Sequence, residues 1–403
     1  MDLSPLLKKE RVLFDGAMGT LLQSMTAVPE PPELLNSDRK DIVEKAHALY
    51  AQAGSRAVET NTLGANPIKL KRTPHKEECA PFNADGVACA RKAVGEEGVV
   101  ALSIGSTGQL LAPMGPLSRK DAVAGYREQI EAGKAVGADV AYIETMMDLS
   151  EARCAALAAG QAGMPFVISF TFEPKGVTLM GNSPESCALC AKALGAVAVG
   201  VNCSGGPEQL LPVLKRMRAA CDLPVIMQPN AGLPEVRNNT TYYPLGPDEF
   251  AAAMRDILDA GAAAVGGCCG TTPDHIAALA QVLKDYPTPP EATCPPTYLC
   301  SGRKYVPADC EKEEVSGEDV YDLQDELAEV EADAAIVDLT AFDAGEIGEM
   351  IPELTSTCAL PLCFRCADSE GAAAALAAYD GVAGLLLEGG EEVAARYGAV
   401  LMA

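Results

Sequence analysis

Eight short apolar runs, each followed by a stretch with helical periodicity, occupy residues 11 to 285 and constrain the fold more than any other feature. Apolar runs without polar alternation are typical of parallel strands that are buried on both faces. Eight strand-helix units in a segment of this length predict an α/β fold, the TIM (β/α)8 barrel. The runs begin at Val12, Ala57, Val99, Val140, Phe166, Ala196, Pro224 and Ala263.

Two of the intervening stretches show the helical pattern most clearly. Residues 39–54 and residues 246–262 are amphipathic, and each ends near a glycine. Glycine is common immediately after a helix because it adopts the left-handed conformation without strain. Both stretches are therefore predicted to be helices on the outside of the barrel.

The remainder of the chain predicts a smaller second unit. We assign residues 1–286 to the barrel and residues 287–317, which are rich in proline and charge, to a linker or a strap across the barrel surface. Residues 318–403 resume the strand-helix alternation as a partial α/β domain. About four such units cannot close a second barrel. We therefore expect this segment to dock on the first domain or on another subunit.

Composition excludes several classes of protein. A formal net charge of -25 argues against a nucleic-acid partner, because phosphates are bound through lysine and arginine. The chain contains no run of about 18 apolar residues, so no membrane segment is expected, and its first residues do not resemble a signal peptide. Fifteen cysteines without a framework of regular spacing indicate reduced thiols and a cytoplasmic location.

Chemically versatile side chains recur where the predicted strands end. The carboxyl ends of the strands in a TIM barrel meet at one rim, and active sites are built there. We therefore treat the polar residues of this rim as candidates for a site. They are Asp15, Glu59, Asn61, Glu144, Asn202, Cys203, Asn230, Cys268 and Cys269.

The adjacent cysteines Cys268 and Cys269 lie within the sequence AVGGCCGTTPDH. A disulfide between neighbours is strained, whereas the flanking glycines allow a bend that turns both sulfurs toward one point. A third cysteine, Cys203, ends the sixth run in GVNCSGG. Three thiolates with one open corner suit a catalytic Zn²⁺ site. The alternative is that the three cysteines are separate buried thiols of the core.

Seven motifs resemble the homocysteine S-methyltransferase family in their order along residues 11 to 285. The intervening sequence is most similar to the homocysteine-binding barrel of cobalamin-dependent methionine synthases. The paired GVNC and GGCCG motifs are the most specific part of the resemblance. The motifs are LFDGAMGT, VETNTLGAN, GSTGQLL, YIETMMDLSEAR, GVNCSGGPE, PNAG and GGCCGTTPDHI.

The resemblance implies a role for each matching residue. Cys203, Cys268 and Cys269 would bind Zn²⁺ and act in catalysis, and Asn230 would occupy the fourth corner before the substrate arrives. Asp15 and Glu144 would receive the amino group of homocysteine. The substrate would also approach the backbone of Gly16, Ala17 and Gly19. Glu59, Asn61 and Asn202 are further candidates for substrate contacts, with the alternative for Glu59 and Asn61 that they only order the rim.

The implied reaction is the methylation of homocysteine to methionine, because Zn²⁺ holds a thiol as the nucleophilic thiolate. Residues 334–403 resemble only part of a folate-binding barrel, so the methyl group is expected from elsewhere. We favour a separate methylcorrinoid protein that carries methylcobalamin. A small cationic donor, S-methylmethionine or betaine, is the alternative and would favour an aromatic cage. The chain has no tryptophan, and the aromatic residues near the strand ends are Tyr142, Phe170 and Phe172.

Two further alternatives remain open. The enzyme could methylate a thiol other than homocysteine, or the chain could be a non-catalytic module that binds a corrinoid protein. A substrate that lacks an amino group would make the carboxylates Asp15 and Glu144 dispensable. A non-catalytic module would not need them at all.

Overall fold

A computed structural model of the protein describes residues 1–237, 240–289 and 295–402, and its largest element is a sheet of eight parallel strands. From the second strand to the eighth, each strand pairs with the next one in sequence, and the eighth strand pairs with the first. The strands are β1 (Val12–Leu13), β2 (Ala57–Glu59), β3 (Val99–Ile104), β4 (Val140–Met146), β5 (Phe166–Phe170), β6 (Ala198–Cys203), β7 (Val225–Pro229) and β8 (Ala264–Val265).

The seam between β1 and β2 closes this sheet into a barrel. The Arg56 N–H donates to the Leu13 carbonyl at 2.8 Å. Farther along, the Glu59 N–H donates at 3.1 Å to the Asp15 carboxylate oxygen Oδ2 instead of to a backbone carbonyl. The predicted TIM barrel is therefore confirmed, and a candidate site residue completes its last seam.

Helices surround the barrel as the periodicity predicts. Helix α4 buries one stripe of side chains against the sheet and ends at Gly54, whose φ is 111°. The helices of this part are α1 (Leu3–Lys9), α2 (Met18–Met25), α3 (Leu35–Asp38), α4 (Lys40–Ala53), α5 (Pro67–Leu70), α6 (Cys79–Val94), α7 (Arg119–Ala135), α8 (Leu149–Gln161), α9 (Pro184–Ala193), α10 (Pro207–Ala220), α11 (Pro247–Asp259) and α12 (Pro273–Leu283). None of the helices in the described part of the chain combines the length and the apolarity needed to cross a bilayer.

The interior of the barrel is packed, and its amino end is plugged. Phe14, Tyr142 and the inward-facing valines and alanines of the strands form one buried cluster. Leu3 and Leu7 of α1 belong to the same cluster. Because helix α1 covers this end, the carboxyl rim is the end of the barrel left for a site.

A second parallel sheet of five strands follows in strict sequence order. It is built as expected for a partial α/β domain, with its helices packed on one face. Its first strand lies within residues 287–317, which the sequence assigns to a linker or strap. The elements are β9 (Lys312–Val315), α13 (Val320–Glu329), β10 (Ala334–Asp338), α14 (Ala344–Thr357), β11 (Leu362–Arg365), α15 (Ser369–Ala378), β12 (Gly384–Leu386), α16 (Glu391–Tyr397) and β13 (Val400–Leu401).

A hairpin of Tyr298–Cys300 and Tyr305–Pro307 covers part of the other face of this sheet. Leu299 and Val306 of the hairpin pack against Cys363 of β11 in a small apolar cluster. The hairpin therefore covers part of the sheet face opposite the domain's own helices, which an isolated open sheet would expose.

The second sheet is attached to the barrel through a buried arginine. Arg153 of α8 donates to the carbonyls of Gly381 and Leu376, both at 3.1 Å. Nearby, Arg119 pairs with Asp380 at 2.9 Å. Buried cations need several acceptors because their desolvation is costly. These contacts therefore define an attachment between α7, α8 and the end of α15.

Candidate metal centre and substrate cleft

Three cysteine sulfurs converge at the carboxyl rim of the barrel. The Sγ atoms of Cys203, Cys268 and Cys269 all lie within 4.8 Å of one another. Sulfurs bound at about 2.3 Å to one tetrahedral Zn²⁺ would lie about 3.8 Å apart. The cluster therefore fits a zinc ion after only small side-chain adjustments.

A left-handed backbone directs Cys203 toward the cluster. Cys203 and Ser204 have φ angles of 61° and 64°, which non-glycine residues rarely adopt. The Gly205 N–H donates to the Cys203 carbonyl at 2.7 Å and closes this tight turn. Strain of this kind is commonly stored at functional sites, where the surrounding structure enforces it.

The glycines around Cys268 and Cys269 are required by close contacts. A Cβ on Gly267 would lie 2.4 Å from Thr271 Oγ1, and one on Gly270 would lie 2.3 Å from the ring of Tyr243. Gly270 also has a φ of 80°. The chain can therefore bring two adjacent sulfurs to one point only with glycine on both sides.

The thiols of the cluster share protons unequally. The Cys268 and Cys269 thiols hydrogen-bond to Cys203 and hold the pKa of Cys203 below its usual range. The pKa of Cys268 is raised by the same hydrogen bonds and by burial. A cation at this point would replace the shared protons, because thiolates are the metal-binding form.

Asn230 adds an oxygen donor beside the sulfurs. Its N–H donates to the Gly205 carbonyl at 2.9 Å, which places the residue next to the turn that carries Cys203. Its side chain also hydrogen-bonds to the Cys203 thiolate. The Asn230 Oδ1 atom is buried without a hydrogen-bond partner among the described residues. Because such an atom is costly to bury, it is a fitting fourth ligand for a cation.

Three carboxyl groups form a second cluster in the same rim. Glu59 and Glu144 are hydrogen-bonded to each other. Asp15 accepts from the Glu59 N–H through Oδ2, whereas its Oδ1 atom is buried without a partner among the described residues. Ser103 donates to Glu144, and the Gln228 amide donates to Glu59 at 2.6 Å. The cluster thus presents acceptors in excess of donors.

Burial raises the pKa of all three carboxyl groups. Repulsion from Glu144 and Asp15 adds to the effect of burial on Glu59. The hydrogen bond between the two glutamates acts to raise the pKa of Glu59 and to lower that of Glu144, so a shared proton is favoured on Glu59. An ammonium group bound here would relieve the repulsion among the three carboxyls.

Both clusters face one cleft of about 570 Å³. Its wall includes most of the residues that the sequence predicts for the site. These are Gly16, Ala17, Gly19, Glu59, Asn61, Glu144, Cys203, Cys268 and Cys269. Asp15, Asn202 and Asn230 are almost fully buried and lie behind the wall.

Asn202 and Asn61 hold the rim together. Asn202 Oδ1 accepts from the Thr145 N–H at 3.1 Å and from the Ser169 hydroxyl at 2.7 Å. These bonds fix Thr145, a cleft residue with a φ of 56°. The Asn61 amide donates to Asn36 Oδ1 at 2.9 Å. Asn61 therefore both lines the cleft and orders the rim, whereas Asn202 acts through Thr145.

Sequence reasoning missed two residues that support the cysteines. Thr271 Oγ1 donates to the Cys268 carbonyl at 2.7 Å and accepts from the Ala17 N–H at 3.1 Å. Tyr243 hydrogen-bonds to Cys269. Thr271 immediately follows the CCG motif and could have been suspected from that position. Tyr243 has no such signal, since only the folded chain brings it to the cluster.

The fold and site together define an eight-stranded parallel barrel with a candidate thiolate metal site of three cysteines at its carboxyl rim. The model of the homocysteine S-methyltransferase family matches residues 12–283. The chain belongs to this family. The structure is similar to the homocysteine methyltransferase MmuM from Escherichia coli. The metallated form of that protein aligns with a TM-score of 0.59 and 24% sequence identity over 69% of this chain and 98% of MmuM.

Curated relatives with the name methionine synthase share more of the sequence. The protein from Mycobacterium leprae is 33% identical over 302 residues, which cover 70% of this chain and 25% of the relative. The protein from Mycobacterium tuberculosis is 32% identical over 311 residues, or 72% of this chain and 26% of the relative. The aligned region thus spans about a quarter of these relatives.

Proposed function

We propose that the protein is a zinc-dependent S-methyltransferase that methylates homocysteine to methionine, with the methyl group delivered by a separate methylcorrinoid protein. The single observation that carries the proposal is the shared cleft. Cysteine sulfurs that fit Zn²⁺ and carboxyls that fit an ammonium group line the same wall. Homocysteine carries a thiol and an amino group on one short chain, so it can reach both clusters at once.

The sulfur end of the substrate belongs at the cysteine cluster. Cys203, Cys268 and Cys269 would hold Zn²⁺, and Asn230 Oδ1 would yield its place to the substrate. Zinc, when bound, supplies a low pKa for the substrate thiol and so keeps it as a thiolate at neutral pH. The negative charge of three cysteine ligands would preserve electron density on the substrate sulfur. The substrate sulfur would therefore remain a good nucleophile.

The amino end of the substrate belongs at the carboxyl cluster. Glu144 takes the ammonium group, and Glu59 hydrogen-bonds to Glu144 and holds it in place. The buried, unpartnered Oδ1 atom of Asp15 offers a further acceptor behind Glu59. An ion pair in a site of low dielectric is stronger than in water, so these groups contribute to both affinity and orientation.

The transfer step is a displacement at carbon. The thiolate sulfur attacks the methyl carbon, a carbon–sulfur bond forms, and the bond between the methyl group and its donor breaks. The electron pair of the broken bond leaves with the donor. The thiol proton has already passed to solvent, so the step needs no general base from the chain.

The aromatic residues do not favour a small cationic donor. Tyr142, Phe170 and Phe172 are at most 2% exposed and belong to the core. No aromatic residue is among the described residues that line the cleft. A sulfonium or quaternary ammonium donor would lack the cage that usually binds it. S-methylmethionine and betaine therefore remain the second choice.

The surface of the rim favours a donor of protein size. Several large apolar side chains follow the carboxyl ends of the barrel strands and are exposed to solvent. Scattered exposed apolar residues are ordinary, but several that follow the strand ends of one rim favour a protein-binding surface. They are Leu63, Leu110, Met114, Met147, Leu179, Leu233 and Val236.

An assay of methionine formation tests the proposal. Zinc-loaded protein is incubated with homocysteine and, in separate reactions, methylcobalamin, S-methylmethionine, betaine or methyltetrahydrofolate. Turnover with methylcobalamin alone supports the corrinoid donor. Turnover with a cationic donor contradicts that choice while it keeps the homocysteine reaction.

A substrate analogue tests the acceptor. 4-Mercaptobutyrate is homocysteine without the amino group, so it keeps the thiol and loses the contact with Glu144. We expect little turnover of this analogue. Equal turnover of both thiols would point to a different acceptor, and zinc binding without turnover of either thiol would favour a non-catalytic module.

A further inference from the structure

Tyr243 lies at the base of a hairpin that stands on the barrel rim. The hairpin pairs Glu235–Arg237 with Thr240–Tyr242 and follows β7. Below it, the Leu245 N–H donates to the Ala231 carbonyl at 3.0 Å. A ring nitrogen of His275 in α12 lies 2.9 Å from the Leu245 carbonyl. The base of the hairpin is therefore fastened both to the segment that directly follows β7 and to helix α12.

This anchoring presses the Tyr243 ring onto the cysteine turn. The ring lies against Gly270, where a Cβ atom would approach Tyr243 Cγ to 2.3 Å. The Tyr243 hydroxyl hydrogen-bonds to Cys269. Tyrosine is the donor when its partner is a thiolate, because a thiolate has no proton to give.

We infer that Tyr243 is a positioning residue of the metal centre, whose hydroxyl donates to Cys269 Sγ and fixes the direction and charge of that ligand. The inference rests on the proposed function, since it assumes that the three cysteines hold a metal. Coordination of zinc by the three cysteines does not by itself require Tyr243. Its role follows from the ring contact with Gly270 together with the hydrogen bond.

The hydrogen bond makes the cysteine ligands unequal. Asn230 supports Cys203 and Tyr243 supports Cys269, from two ends of the same segment after β7. A donor to a thiolate sulfur withdraws part of the charge that the sulfur would give to a metal. The Cys269 ligand is thereby held in one direction and becomes a weaker electron donor than an unsupported thiolate.

Tyr243→Phe is the sharpest test, because it removes one oxygen and keeps the ring against Gly270. The control is Tyr321→Phe, which changes a tyrosine that is 70% exposed and belongs to helix α13 of the second sheet. Each protein is prepared without metal and loaded with one equivalent of Co²⁺ or Zn²⁺. The measurements are the thiolate-to-cobalt absorption, the rate of zinc transfer to a chelator, and thermal unfolding of the metal-free protein.

We expect Tyr243→Phe to bind cobalt with an absorption of wild-type intensity but shifted energy. We expect it to release zinc about 10- to 100-fold faster, as is usual when a group that supports a metal ligand is lost. Thermal unfolding without metal should be unchanged, which separates a metal effect from a folding defect. Tyr321→Phe should match the wild type throughout.

The outcomes separate this inference from the proposed function. Wild-type spectra and zinc release in Tyr243→Phe would overturn the role of Tyr243 and leave the metal centre intact. A wild-type protein that binds neither cobalt nor zinc would overturn both. A Tyr243→Phe protein that loses stability without metal, to the same extent as it loses zinc, would reduce Tyr243 to a packing residue and also overturn the inference.

Discussion

The barrel and the second sheet use the same strand-helix units, but their carboxyl ends differ in how acidic residues are satisfied. In the second sheet, Asp343 accepts from the Gly345 and Glu346 N–H groups at 2.8 and 2.9 Å. Asp368 accepts from Gly371 at 2.8 Å in the same way. These exposed carboxylates cap helices. In the barrel, Asp15 is 1% exposed and keeps one oxygen without a partner among the described residues.

Closure of the sheet accounts for the difference. Eight strands bring their ends together around one opening, so side chains from β1, β2 and β4 become buried neighbours. Five strands leave their ends side by side, and each aspartate finds its partners in the next turn of its own chain. A carboxylate at a strand end therefore becomes a candidate for chemistry only where the sheet forces it away from local donors.

The largest contrast should come from cysteines at equivalent places in the two sheets. Cys268→Ala removes one of the three converging sulfurs, and we expect zinc content to fall to near zero. Methionine formation should fall at least about 10³-fold, or about 4 kcal/mol. Zinc stoichiometry and the methionine assay provide the measurement.

The matched control is Cys366→Ala, which removes a buried cysteine that directly follows β11. Burial raises the pKa of this thiol to about 12. It should therefore remain a neutral apolar group, and its loss should leave zinc and activity unchanged. A zinc loss equal to that of Cys268→Ala would contradict the expectation that only the barrel cysteines bind zinc.

The second-largest effect should come from the contacts that attach the second sheet to the barrel. Arg153→Met removes a cation that is 3% exposed and leaves the Gly381 and Leu376 carbonyls without their donor. We expect a loss of about 3 kcal/mol in the free energy of unfolding. Limited proteolysis should attack residues 295–402 sooner, while the zinc content of the barrel is retained.

The control for Arg153 is Arg127→Met, since within the described part of the chain Arg127 of α7 has only an exposed ion pair, with Glu131 at 3.7 Å. Such surface pairs contribute less than about 1 kcal/mol. Urea unfolding of both variants compares the two contacts. Simultaneous loss of zinc and of the second sheet in Arg153→Met would mean that the two regions do not behave as separate units.

The sequence predicts the barrel well because burial on both faces leaves a visible apolar run for every strand. The runs are longer than the strands at the rim, where β1 and β8 contain only two residues each. Glycines and site residues follow these strands, so the ladder of backbone hydrogen bonds ends before the apolar run does. The sequence does not predict strand β9, because this strand has no apolar run. Its KEEV sequence shows no alternation, because an edge strand tolerates charge.

The residues of the candidate site also fall into two groups, those that the sequence predicts and those that it does not. The cysteines and Glu144 could be predicted since they end recognisable strands, and the structure places them on one wall. The role of each remains a prediction until the variants are measured. Tyr243 and Gln228 could not be found from sequence, because their importance depends on contacts across the barrel.

The carboxyl cluster predicts unequal effects of two similar changes. Because its hydrogen bond to Glu144 acts to raise the pKa of Glu59, we assign the shared proton to Glu59. Glu59→Gln keeps a donor at that point and should raise the KM for homocysteine only a few-fold. Glu144→Gln removes the charge that binds the ammonium group. We expect its KM to rise about 30-fold, or about 2 kcal/mol, with a smaller change in kcat.

Asp338→Asn is the matched change in the second sheet, since Asp338 ends β10 and accepts locally from the Thr340 N–H at 2.9 Å. It should leave the KM unchanged. Equal KM values for Glu59→Gln and Glu144→Gln would contradict the assignment of the proton. Steady-state kinetics with homocysteine as the varied substrate distinguish these cases.

The smallest effect is a pH dependence that belongs to the barrel alone. His47 of α4 is fully buried, and neither ring nitrogen has a hydrogen-bond partner among the described residues. Burial lowers its pKa from 6.5 to about 4. The unfolded chain therefore binds a proton at a higher pH than the folded chain, so the stability that a neutral His47 permits is present above pH 6.5 and lost as the pH falls toward 4.

His47→Leu removes this titration and keeps an apolar side chain of similar size. At pH 5.5 the proton linkage amounts to about 1.4 kcal/mol, so the variant should lose that much less stability than the wild type between pH 7.5 and 5.5. Urea unfolding at the two pH values provides the measurement. His75 and His275, the other two histidines, also lie in the barrel segment. The second sheet should therefore show no matching change, and an acid transition there that shifts with His47→Leu would mean that the two sheets unfold as one unit.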